Sequence, residues 1–126
     1  MIALVATTDG ALAVDLEDGT VLSADSFEPA PEPELNLPRL VSAASLGATV
    51  VAVVGTKPPL LLSHDAGSTW RASGRGLPPG RAVAIADDDP DTILFAARNR
   101  LYLSRDGGVF WTAVAGELPE IRYVAL

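Results

Sequence analysis

The chain has 126 residues, 48% of them hydrophobic and 20% charged, with a net charge of −7. That is the size of one domain able to own a core, and no apolar run approaches the roughly 18 residues of a membrane-spanning helix. The absence of cysteine and the presence of one histidine, His64, exclude a disulfide scaffold, thiolate zinc, thiol catalysis and a multi-histidine metal site within one chain. The acidic balance also speaks against a free nucleic-acid binder.

The first residues, Met1-Ile-Ala-Leu-Val-Ala-Thr-Thr-Asp9, lack a basic stretch, and Asp9 interrupts the apolar run. They do not read as a secretion signal, and with no cysteine the expected location is cytoplasmic. Strands are expected at Ile2–Ala6, Ala11–Asp15 and Thr20–Ala24. Residues 1–38 carry four Asp and four Glu but no Lys or Arg. This acidic third is either a solvated face or a surface that meets a basic one, for example on a second copy. Glu28-Pro-Ala-Pro-Glu-Pro-Glu34 reads as an extended, polyproline-like linker, with a ligand arm as the other reading.

Further strands are expected at Val41–Ser45, Thr49–Val54 and Leu60–Ser63, with a fourth from Trp70. The same series returns at Ala82–Ala86, Thr92–Ala97, Leu101–Ser104 and Trp111–Val114, and Ile121–Leu126 closes the chain. Gly, Pro, Asp and Asn punctuate the gaps, and no stretch has a capped helical period. Short strands at steady spacing mean an all-β fold.

The series is a repeat. Ser63-His-Asp-Ala-Gly-Ser-Thr-Trp70 and Ser104-Arg-Asp-Gly-Gly-Val-Phe-Trp111 match position by position, 41 residues apart. Leu77-Pro78 and Leu118-Pro119 keep that spacing, and Leu37-Pro38 sits 40 residues earlier. Each Leu-Pro is soon followed by an arginine: Arg39, Arg81 and Arg122. The unit therefore runs three times, with a degenerate first copy whose Val14-Asp-Leu-Glu-Asp-Gly-Thr-Val21 lies near where the motif would fall.

The motif Ser-x-Asp-x-Gly-x-Thr-Trp resembles the Asp-box, or BNR repeat, of sialidases, sortilin-type domains and photosystem-assembly-factor-like propellers. The second copy departs from it at Phe110, where threonine is usual. The resemblance implies β-propeller blades of four antiparallel strands: residues 1–38 with a strand equivalent to 121–126, residues 39–80, and residues 81–120. It places the box in the hairpin between third and fourth strands. Ser63, Asp65, Gly67, Thr69 and Trp70, and likewise Ser104, Asp106, Gly108 and Trp111, are then structural. The aspartate accepts backbone N–H groups of the turn, the glycine allows positive φ, and the tryptophan packs on a neighbouring sheet. Loss of the Trp70 side chain is expected to remove ~3–5 kcal/mol. His64, at the variable second position opposite Arg105, is expected in an exposed loop. Asp87-Asp-Asp-Pro-Asp91 reads as a turn, with calcium as its alternative.

Sialidase-like chemistry would need an arginine cluster, a tyrosine nucleophile with a glutamate beside it, and an acid. Arg39, Arg81, Arg122, Tyr123, Glu117 and Glu120 supply the types, but the Arg-Ile-Pro signature of sialidases is missing. The favoured expectation is a non-catalytic binding or scaffold propeller without cofactor or metal. Arg39, Arg81, Arg122 and Tyr123 face its channel toward an anionic small molecule or acidic peptide. The alternative is a sialidase-like glycoside hydrolase or a sugar binder.

The first unit lacks an opening strand, and Ile121–Leu126 is a surplus one. Three blades do not close a ring, whereas propellers have about four to eight. A homodimer forming a six-bladed ring is expected, with Ile121–Leu126 of each chain completing the first blade of the other.

Overall fold

The computed structural model describes all residues, 1–126. Twelve strands form three four-stranded sheets and no helix. Sheet 1 contains β1 (Ile2–Thr7), β2 (Gly10–Asp15) and β3 (Val21–Ala24). Sheet 2 runs β4 (Leu40–Leu46), β5 (Thr49–Val54), β6 (Leu60–Ser63) and β7 (Arg71–Ser73). Sheet 3 runs β8 (Gly80–Ala86), β9 (Asp89–Ala97), β10 (Leu101–Ser104) and β11 (Thr112–Val114). The last strand, β12 (Ile121–Ala125), joins sheet 1, whose order is β12-β1-β2-β3. All pairings are antiparallel. Such sheets follow from β-branched and apolar runs broken by turn residues, since alternate side chains leave opposite faces.

Sheet 3 lies between the other two. Val83, Ile93, Phe95 and Ala97 meet Val51, Val53, Leu60 and Leu62 of sheet 2. From the opposite face Ala82, Ala84, Leu94, Ala96, Leu101 and Leu103 meet Ala3, Val5, Val14, Ile121 and Val124 of sheet 1. Strands buried on both faces read as continuous apolar runs, which is why Ile93–Ala97 has no polar residue. Each large side chain so buried contributes roughly 1.5–3 kcal/mol. The sheets also approach closely where Gly80 passes: a Cβ there would fall within 2.7 Å of Val53 Cγ1.

The spatial order is therefore sheet 2, sheet 3, sheet 1. The sequence leads one to expect that β12 completes the first sheet of a second chain; here it pairs with β1 of its own chain, Leu4 opposite Ala125 and Val5 opposite Val124. The linker makes this possible. Six residues join β7 to β8, and six join β11 to β12, but fifteen separate β3 from β4. Residues 25–39 thus run from one end of the arc to the other and let the N-terminal strands stand after sheet 3. The linker is tied at both ends: the Tyr123 hydroxyl donates to the Phe27 carbonyl at 2.7 Å, and Glu32 Oε1 accepts from Ser42 Oγ at 2.8 Å and from the Ala43 amide at 3.1 Å.

Candidate functional site

Two concave regions and two turns carry the polar side chains that sequence reading singles out. The turns come first, because they position everything at the outer rim. In the β6–β7 turn the Ser63 hydroxyl donates to Asp65 Oδ1 at 2.7 Å and accepts from the Gly67 amide at 2.8 Å. Asp65 Oδ1 accepts from the Thr69 amide at 2.8 Å, and Oδ2 from the Thr69 hydroxyl at 2.6 Å. The β10–β11 turn repeats this with Ser104, Asp106 and Gly108. There the Val109 and Phe110 amides donate to Asp106 Oδ1 at 3.2 and 3.0 Å. Hydrogen bonds from Thr69, side chain and then backbone, hold the Asp65 carboxyl down at about 2. The Phe110 amide, then Ser104, lower that of Asp106. Each donor stabilises the charged form. Asp65 and Asp106 are thereby bound into their turns.

In the first unit the β2–β3 turn has no such motif. Asp18 instead accepts the Thr20 amide at 2.8 Å, with Gly19 at φ 77°, and this bond comes first among the causes that lower the Asp18 carboxyl. Arg105 reaches across to Glu17 at 2.9 Å. Its counterpart His64 is exposed. In the Asp87–Asp91 segment, Asp89 accepts the Asp91 amide and the Thr92 hydroxyl, and no three carboxylates converge there.

On the concave side, β4, β8, β12 and the linker enclose a cavity of about 480 Å³. Ser42–Ser45, Ala82–Ile85 and Tyr123–Leu126 line it, with Pro29–Glu32 crossing it. Of the four expected ligand-binding residues only Tyr123 faces this cavity. The charged lining residues are Glu32 and Asp87. Arg39 is exposed in the turn before β4, at φ 57°, with its carbonyl accepting the Gly55 amide. Arg122 is exposed on β12.

Arg81 lies elsewhere. It lines a recess of about 530 Å³ with Arg98, Asn99, Arg100, Tyr102 and the Pro78-Pro79-Gly80 turn. Glu120 stands between two of the arginines, 3.1 Å from Arg98 Nε and 3.7 Å from Arg81 Nη1. The Asn99 amide donates to Glu117 at 2.9 Å. Arg100 makes no ion pair. Arg98 and Arg100 flank the β9–β10 turn and belong to no spaced motif, so their charge alone was the signal for them. The recess gathers three guanidinium groups around one carboxylate, geometry suited to planar anions.

No family model and no curated protein matches the chain. Among solved structures it is similar to a GH74 enzyme of Niastella koreensis, with 21% identity and a TM-score of 0.49 over 89% of this chain and 17% of that one. The chain thus spans about a sixth of that enzyme's length.

Proposed function

We propose that the chain is a non-catalytic binding module, a set of Asp-box-type β-propeller blades, whose ligand is a small anion or an acidic peptide side chain. The carrying observation is the recess of Arg81, Arg98 and Arg100, where three cations share the single ion-pairing partner Glu120. In a chain of net charge −7 this is a local reversal of sign, which concentrates anions by its field. Tyr102 adds a half-buried ring at the wall. The propeller reading rests on the three four-stranded sheets and the two serine–aspartate turns.

The glycosidase alternative is less well supported. The Tyr123 hydroxyl is engaged by the Phe27 carbonyl, and Glu117 and Glu120 accept from Asn99 and Arg98. No tyrosine–glutamate pair beside an arginine cluster results.

The test is a titration with inorganic phosphate and, separately, with a hexaglutamate peptide, followed by amide NMR. Binding should shift the amides of residues 98–102. Arg100→Ala should weaken it roughly tenfold or more, the scale of one charged hydrogen bond. Shifts confined to the concave cavity, or equal binding by Arg100→Ala, overturn the assignment.

A further inference from the structure

Each sheet of the arc offers one face to the sheet behind it and one to the sheet ahead. Sheet 2 covers its forward face with sheet 3, and sheet 3 covers its own with sheet 1. The forward face of sheet 1 has nothing on it. Cross-strand register places Leu4, Ala13, Leu22 and Ala125 on that face in one row, with Ile2 beside Leu4. Ile2 is 53% and Leu22 65% exposed. The equivalent positions of sheet 2 hold the next sheet. Leu62 pairs with Arg71 there as Ala13 pairs with Leu22 here. Arg71 donates to the Gly107 carbonyl at 2.8 Å, and Ser73 to that of Gly108 at 2.6 Å, clamping the following turn.

The complementary gap is at the other end. Trp111 packs edge-on against Phe95, centroids 6.1 Å apart, within the core shared by sheets 2 and 3. Its counterpart Trp70 belongs to neither core, because no sheet stands behind sheet 2. Trp70 is half-buried, and so are Leu35 and Leu37 of the linker, which alternate with exposed Glu34 and Asn36.

Charge points the same way. Residues 1–24 with 121–126, which make sheet 1, carry four acids and one base. Residues 39–79, which make sheet 2 and its exit, carry four bases and one acid. Like ends repel and unlike ends attract, so a second copy approaches head to tail.

We propose that the bare face of sheet 1 is a docking surface for the sheet 2 end of a second copy. Two such junctions related by a two-fold axis give a ring of six sheets. This rests on the propeller reading but not on the anion recess. Strand β12 stays in its own chain, so the contact is face to face and exchanges no strand. A head-to-tail contact that did not close would grow into a filament; two copies close it when each step turns about 60°.

Light scattering across a hundredfold concentration range tests it. The expected mass is twice 13.0 kDa, unchanged by phosphate. Leu22→Asp should return the mass to that of one chain, with the circular dichroism retained; Ile2→Asp should do the same independently. Because the chain has no cysteine, single thiols report orientation. A mixture of Leu22→Cys and Trp70→Cys chains should form mixed disulfides, whereas Leu22→Cys alone should not. A monomer at every concentration, a trimer, a filament, a dimer indifferent to Leu22→Asp, or rapid disulfide formation by Leu22→Cys alone would each overturn it.

Discussion

The turns at Ser63–Trp70 and Ser104–Trp111 share a sequence pattern and a hydrogen-bond scheme, yet their tryptophans end in different surroundings. In both, a serine hydroxyl buried to 1% exposure bridges the aspartate and the glycine amide. That scheme closes within about eight residues and needs no neighbour. The tryptophan does need one. Trp111 has sheet 2 to lie against and reaches Ser73 Oγ at 3.4 Å with its indole N–H; Trp70 has no sheet behind it. Local chemistry makes the turn, and the order of sheets decides what the turn supports.

The strongest way to break this comparison is to remove both rings. Trp111→Ala should lose ~3–5 kcal/mol of unfolding free energy, the range for a large core truncation. Trp70→Ala, measured at concentrations where one chain stands alone, should lose only about 1–2 kcal/mol, as for a half-buried side chain. Chemical denaturation of both variants checks it; equal losses would mean that the neighbouring sheet does not matter. Next in size, Ser104→Ala should cost ~1–3 kcal/mol by leaving the Gly108 amide without its acceptor. Ser63→Ala should match it, because the scheme is local.

A smaller effect separates the aspartates. The folded Asp65 carboxyl titrates at about 2 against an ordinary value of 3.8. A depressed folded value stabilises the protein fully above the unfolded value, and this stabilisation fades as pH falls from about 4 through about 2. Thr69→Val should move the Asp65 carboxyl back toward 3.8 and shrink that window, as read by carboxyl NMR titration. At Asp106 the hydroxyl is already absent, so Phe110→Thr should lower its carboxyl further and take a 75% exposed ring off the surface. Smallest is Ala66→Gly. Ala66 sits at φ 59° where the other turn has Gly107 at 71°. Removing its Cβ strain should raise the melting temperature slightly, by ~1 kcal/mol or less.

The strands and both turns were legible because the repeat returns at 41 residues and because β-branched runs such as Thr49–Val54 leave no other secondary structure. The pairing of β12 with β1 was half legible. The missing and surplus strands identify each other, but sequence order suggests that sheet 1 stands before sheet 2. Only the fifteen residues of the linker against six elsewhere reveal the reach needed to place it after sheet 3. The arginine recess was legible in Arg81 alone. Arg39 and Arg122 share its spacing, yet Arg39 falls in a left-handed turn before its strand and Arg122 projects from the last strand. Arg98 and Arg100 carry no repeat signature, because a hairpin turn exposed to water tolerates many residues.

The pairing of β1 with β12 also sets the order in which the chain acquires structure. Leu4 and Ala125 are partners across nearly the whole chain, and loop closure must precede any reward from that contact. During synthesis β1, β2 and β3 emerge first but must wait for the last strand, with Val5 and Val14 still lacking sheet 3 to bury them. Sheets 2 and 3, which follow one another directly, are free to dock before that. The first segment made is therefore the last to be locked in place, and refolding should show sheet 1 amides gaining protection from hydrogen exchange after those of β5 and β9.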